Sequence, residues 1–237
     1  MIKRGNIKVL VFVNENEGAM EVAERIAGEI RRKPVLKLGL ATGRTMIPIY
    51  KELILLSKSR RIRFSKIKSF NLDEFVSLSK NDKRSLRYFM DKNLFNKIRI
   101  EEKNIHFPDG KTDYDKLIKK SGGIDLQVLG LGVNGHIAFN EPGSSFRSKT
   151  RKVKLSKETI KLKKLNVKYA YTMGIGSILK SKKIILVAFG KEKAEAVRKM
   201  IELKPSIKTP ASSLQKHKDV LVFLDRAVAS KLKWIKE

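Results

Sequence analysis

The chain has 237 residues, 41% hydrophobic and 32% charged, which suffices for one sizeable core and is short for two. It contains no cysteine, so a disulfide framework, a thiolate metal site and a cysteine nucleophile are all excluded. Its 53 Lys and Arg against 24 Asp and Glu give a formal charge of +29; because basic residues recur along the whole chain with acids among them, we expect a solvated basic surface and no specific nucleic-acid partner.

The first predicted strand is Ile7 to Val13, which follows a few basic residues. This apolar run is far too short to span a bilayer and no small-residue cleavage site follows it, so no membrane association and a cytoplasmic location are expected. Ala19 to Arg32 has helical spacing, Val35 to Leu40 reads as a strand, and Thr45 to Ser57 as a helix. A strand at Ile67 to Leu72 is followed by helices at Ser85 to Phe95 and Tyr114 to Lys120. Ile124 to Leu131 and Lys183 to Phe189 read as strands, Lys191 to Leu203 as a helix, Val220 to Leu224 as the last strand and Arg226 to Ile235 as the last helix. Most strands are too continuously apolar to keep one face in water, which points to central strands of a mostly parallel sheet. The fold class expected is α/β: a doubly wound, mostly parallel sheet with helices on both faces, Rossmann-like, in a single domain spanning 1–237. The polar, lysine-rich stretch of about 142–168 breaks the rhythm and reads as a short lid insertion beside the sheet.

In an open parallel sheet ligands bind beyond the carboxyl ends of the strands, so the loops there should carry the chemistry. Three stand out. ATGRT, Ala41 to Thr45, can aim backbone N–H groups and hydroxyls at an anion with Arg44 adding charge, or can simply be a helix start with Thr45 as N-cap. FNLDEF places adjacent Asp73 and Glu74 past a buried strand, as a proton acceptor or as a solvated or capping acid pair. GLGVNGHIAFNEPGSS, Gly130 to Ser145, sets His136 and Glu141 five residues apart after a glycine-rich turn. Imidazole moves protons near neutrality and a carboxylate can orient it. The chain has only two other histidines, His106 and His217, and no second histidine stands at metal-ligand spacing from His136, so no metal is expected.

Taken together, LGLATGRT, FNLDEF and GLGVNGHIAFNEPGSSF, followed in order by SKTRKVKLSKETIK, YTMGIGSIL and ASSLQKHKDVLVFLD, resemble glucosamine-6-phosphate deaminases over nearly the whole chain. The related 6-phosphogluconolactonases share the fold and a Gly-His motif but typically lack the FNEPG continuation and NLDEF. The resemblance implies conversion of glucosamine 6-phosphate and water to fructose 6-phosphate and ammonia, with no metal or organic cofactor. It implies that His136 opens the sugar ring with help from Glu141, and that Asp73 moves a proton from carbon 2 to carbon 1. Thr42, Gly43, Arg44 and Thr45 fall on the family's phosphate loop, and Lys193 matches a lysine that reaches the same phosphate. Asn134 stands where many members pair an aspartate with the histidine, and is expected to orient the imidazole by a hydrogen bond without adding charge. Arg44 replaces a usual glycine.

The lid is shorter than in longer members, and Lys163 or Lys164 is the chemical substitute for a phosphate-binding arginine that has no counterpart here. Arg151 matches one activator-binding residue of hexameric members while Val153 replaces another, which argues against allosteric activation. The family includes monomers and homo-oligomers. The alternatives are a lactonase-like hydrolase and a non-catalytic sugar-phosphate-binding protein; sensors of related fold usually carry a DNA-binding helix pair, and no residues for one are seen ahead of the first strand.

Overall fold

A computed structural model describes residues 2–162 and 167–233. The strands are β1 (Ile2–Arg4), β2 (Ile7–Phe12), β3 (Lys37–Leu40), β4 (Lys68–Asn71), β5 (Asp73–Phe75), β6 (Ile105–His106), β7 (Leu126–Gly130), β8 (Arg151–Lys154), β9 (Tyr169–Thr172), β10 (Lys183–Ala188) and β11 (Val220–Asp225). The α-helices are α1 (Glu15–Arg32), α2 (Met46–Lys58), α3 (Leu86–Asn93), α4 (Tyr114–Lys120), α5 (Lys157–Leu162), α6 (Ile175–Ile178), α7 (Ala194–Glu202) and α8 (Arg226–Ala229).

Eight strands form one sheet in the order β1-β2-β11-β10-β7-β3-β4-β6, parallel throughout except for the antiparallel edge strand β1. The apolar runs read from the sequence are its interior: β3, β7, β10 and β11 are buried almost end to end. From β3 the chain moves outward to β4 and β6; with β7 it returns to the other side of β3 and proceeds outward through β10 to β11. The order therefore reverses between β3 and β7, and the loops leaving these two strands flank the crevice where such sheets bind ligands.

Helix boundaries follow local chemistry. The first helix starts four residues earlier than expected because the Asn14 side chain accepts from the N–H groups of Asn16 and Glu17, both at 3.0 Å. The last one is shorter: α8 stops at Ala229, where the Ser230 hydroxyl donates to the Ala227 carbonyl at 2.8 Å and competes with helix continuation. Trp234 to Glu237, including the end of the expected helix, lie outside the described residues.

The short strands of a second sheet were not legible in the sequence. Asp73 to Phe75 leaves the main sheet and forms β5 of a small antiparallel sheet, β5-β9-β8, in which Asp73 is opposite Thr172 and Thr172 opposite Arg151. Part of the expected lid supplies β8, and the sheet covers a small apolar cluster of Phe75, Leu86, Leu155 and Ala170. Before α6, a side chain on Gly174 would meet the Ser148 carbonyl oxygen at 2.2 Å, so the glycine permits the close approach of the segment that leads into β8. Among the described residues no helix is long and apolar enough to cross a membrane.

Candidate active site

The loop after β3 is the candidate anion loop. Thr45 already has helical dihedrals and its side chain caps nothing in α2; its hydroxyl instead accepts from Lys193 Nζ at 3.0 Å. Thr45 thus stands at the N-cap position, as one reading had it, but its side chain does not cap. Gly43 takes φ +123°, which an L side chain rarely adopts, and the N–H groups of residues 42 to 45 have no backbone acceptor among the described residues. The buried Tyr50 hydroxyl donates to the Ala41 carbonyl and fixes the loop's entry. Lys193 comes from the short turn after β10. Burial holds its ammonium below the ordinary lysine range, with Arg44 acting in the same direction against Glu192 and Asp225. An anion seated here would relieve both effects.

The loop after β7 contains a tight hydrogen-bonded group. Asn134 Oδ1 accepts from the backbone N–H of His136 at 3.1 Å, while its Nδ2 donates to Glu141 Oε2 at 2.7 Å. The expectation that asparagine would hold the imidazole is thus corrected: it fixes the backbone of His136 and one oxygen of Glu141. The other oxygen, Oε1, lies 3.4 Å from His136 Nδ1, within ion-pair reach but not aligned as a hydrogen bond. Gly135 at φ +86° and Ala138 at φ +53° make the double bend that brings Glu141 back beside His136. His136 lowers the proton affinity of the Glu141 carboxyl, aided by the Asn134 donor and opposed by burial, so that it sits below the usual range and is ionised at neutral pH.

Asp73 and Glu74, adjacent in sequence, separate in function. Glu74 caps α3, accepting from the N–H groups of Leu86 at 2.9 Å and Arg87 at 2.8 Å. Asp73, 7% exposed, faces the other way: its Oδ1 accepts from the Thr172 hydroxyl and from the Phe139 N–H at 3.4 Å. Phe139 belongs to the His136 loop, so Asp73 and that loop are in direct contact. The fully buried Asn140 secures this junction, its Nδ2 donating to the carbonyls of Ile137 at 3.0 Å and Met173 at 2.8 Å and its Oδ1 accepting from Arg151 Nη1 at 2.9 Å.

The structure therefore brings Asp73, Asn134, His136 and Glu141 together, and places Thr42 to Thr45 and Lys193 in the loops that follow β3 and β10, the strands that flank β7. Lys163 and Lys164 lie outside the described residues. Thr172 and Asn140 were missed as residues of this junction, their sequence signal being polar side chains in otherwise buried motifs; Arg151, noted in the sequence only as a match to an activator-binding position, here holds Asn140. The other histidines are elsewhere. His106 stacks on Phe70 with ring centroids 4.8 Å apart, and burial, reinforced by Lys68, lowers its proton affinity. His217 is buried between the Ser181 carbonyl at 2.7 Å and the Asp219 N–H at 3.1 Å.

The hydrogen bond from Asn134 yields a pH prediction. In Asn134→Asp a carboxylate replaces the donor to Glu141, removing a contact that favours the charged form and adding a like charge beside it. Glu141 should then protonate at higher pH, and the acidic limb of the kcat/KM profile should move to higher pH. A limb in the wild-type position would show that residue 134 does not tune this pair.

The profile of a family described as glucosamine-6-phosphate isomerases/6-phosphogluconolactonase matches residues 15–223. A glucosamine-6-phosphate deaminase of Clostridium botulinum (strain Langeland) is 45% identical over 242 residues, covering 96% of this chain and 99% of its own. One of Thermoanaerobacter sp. (strain X514) is 44% identical over 239 residues, covering 94% of each. A solved structure of a monomeric glucosamine-6-phosphate deaminase superposes with a TM-score of 0.90 at 39% identity, covering 94% of this chain and 99% of its own. The 6-phosphogluconolactonase from Trypanosoma cruzi shares the fold, with a TM-score of 0.77 at 22% identity and 98% of each chain covered.

Proposed function

The chain belongs to the glucosamine-6-phosphate isomerase/6-phosphogluconolactonase family, and from that premise we infer that it is a glucosamine-6-phosphate deaminase, converting D-glucosamine 6-phosphate and water to D-fructose 6-phosphate and ammonia. The observation that carries the reading is the contact of Asp73 Oδ1 with the Phe139 N–H, which joins the buried carboxylate to the His136–Glu141 loop. Two acid–base stations side by side suit a reaction that moves protons twice on one sugar.

The phosphate binds the N–H groups and hydroxyls of Thr42 to Thr45 and the Lys193 ammonium, with Arg44 as a further cation at the loop's exposed edge. His136, steadied by ionised Glu141, delivers a proton to the ring oxygen while the anomeric hydroxyl loses one, giving the open-chain aldehyde. Asp73 removes the proton from carbon 2 and returns it to carbon 1. Thr172 and the Phe139 N–H hold one of its oxygens and leave the carboxylate's orientation fixed for this transfer. The product is an imine at carbon 2, to which water adds and from which ammonia leaves. The residues assigned to the chemistry carry protons and neither a covalent intermediate nor a cofactor enters it.

The remote phosphate supplies binding energy that positions the reacting carbons. Lys193→Met should therefore raise KM for glucosamine 6-phosphate by roughly tenfold or more, the loss of one charge-assisted contact, while leaving the poor turnover of unphosphorylated glucosamine unchanged. Equal effects on the two sugars would remove Lys193 from the phosphate site.

In this reading residues 1–237 act as one sugar-phosphate domain, with 142–168 as its lid. The likeness to a protein described as monomeric supports a monomer as the working unit. A phosphorylated sugar does not cross membranes unaided, which supports a cytoplasmic enzyme of amino sugar catabolism. Incubation with glucosamine 6-phosphate and assay of ammonia and fructose 6-phosphate tests the proposal directly; turnover of 6-phosphogluconolactone instead would convert it into the lactonase reading.

A further inference from the structure

At the opposite end of the sheet from the site above is a concavity of about 620 Å³ that the deaminase reaction does not use. It lies where α2 ends, where the chain turns toward the amino end of β4, and where the turn at Phe95–Lys97 leads away from α3. Five cations line it: Lys58, Arg60, Arg63, Lys97 and Arg99. No acidic residue lines it, and none of the five forms an ion pair among the described residues.

That pattern differs from the rest of this basic surface. Arg61, within the same turn, points away and pairs with Glu24 at 2.9 Å. The concavity beside α4 has Lys116, Lys119, Lys149 and Lys180 but also Asp113 and Asp115, and the one along α1 mixes Glu21, Glu24 and Glu29 with its arginines. In both of these hollows the basic residues are accompanied by acids. Here like charges are gathered around a low-dielectric wall, which includes Phe64, Ile98 and Ile62, all under 10% exposed. Such a wall focuses the field into the hollow and raises the local concentration of anions.

From this juxtaposition we infer a second anion site, separate from the catalytic centre, that takes a compact ligand bearing two or more adjacent phosphate groups. One phosphate would neutralise at most two of the charges, whereas a diphosphate engages three or more, with guanidinium groups of Arg60, Arg63 and Arg99 able to bind phosphate oxygens in pairs. The volume is that of a small-ligand site. The hollow shape favours a compact anion over a nucleic-acid strand, which requires an extended basic track and stacking aromatics; Phe64, at 2% exposure, offers no stacking face.

Calorimetric titration of the full-length protein with inorganic pyrophosphate, at constant moderate salt, tests the site. Pyrophosphate should bind at least about tenfold more tightly than inorganic phosphate. Arg63→Glu with Lys97→Glu should weaken it by roughly tenfold or more, and Arg63→Gln with Lys97→Gln by a smaller factor. Lys149→Glu with Lys180→Glu, which changes the net charge equally beside acids, should leave it within about threefold. Unfolding temperatures establish that each variant is folded. The proposal is overturned by absent binding, by equal losses in the two charge-reversed pairs, or by a single-stranded oligonucleotide binding through these residues while pyrophosphate does not.

Discussion

Asp73→Asn should abolish most turnover of glucosamine 6-phosphate, lowering kcat by on the order of 10²- to 10⁴-fold, the usual contribution of a positioned general base, with KM within about threefold of wild type. The substitution is nearly isosteric. Its amide oxygen can still accept from Thr172 and Phe139, the partners that hold the carboxylate, so the small sheet and the His136 loop keep their contact. What is lost is a group able to take a proton from carbon 2. Exchange of the carbon 2 hydrogen with deuterated solvent isolates that step from ring opening and ammonia release, and it should slow in parallel with kcat. Near-normal exchange in the variant would mean that the base is misassigned and that Asp73 is a buried structural acid held by Thr172.

Much of the fold was legible because the strands that matter are buried on both faces. Continuous apolar runs such as KIILVAF can only be central strands or short buried helices, and their spacing between amphipathic stretches chooses the former. The alternation then fixes where the loops converge. The small sheet was not legible for the opposite reason: DEF, RKVK and YAYT are short, and half their residues face solvent or each other, so their pairing is set by tertiary contacts that no local pattern announces.

The same division holds within the site. Glycines, hydroxyls, a histidine and carboxylates beyond strand ends marked Thr42 to Thr45, Asp73, His136 and Glu141 as candidates. Their sorting was hidden. Asp73 and Glu74 are chemically equivalent in sequence, and only the course of α3 decides that Glu74 meets its N-terminal N–H groups while Asp73 meets Thr172. Asn134 likewise reads as a partner for the imidazole, yet the bend through Gly135 directs its amide to Glu141 and its carbonyl oxygen to the chain.

Gly132→Ala should lower kcat by about a hundredfold, although it adds one methyl group and touches no substrate, because catalysis loses roughly that factor for a misplacement near 1 Å. A β-carbon built on Gly132 would lie 2.4 Å from His136 Cε1 and 2.5 Å from both ring nitrogens. The imidazole thus rests over the glycine, and must retreat by about 1 Å to reach an ordinary contact distance of roughly 3.5 Å. Gly43 differs: nothing lies within 4 Å of its would-be side chain, and its requirement is the φ of +123°. At Gly132 the demand is for space alone, so alanine should fold and displace only the ring, away from Glu141 Oε1 or toward solvent. Combining the variant with His136→Gln separates this from a general loss of structure. If Gly132 acts through the imidazole, the double variant is no slower than His136→Gln alone, whereas independent effects multiply. Wild-type kcat in Gly132→Ala would mean that the ring position seen here is not the one in which the sugar ring is opened.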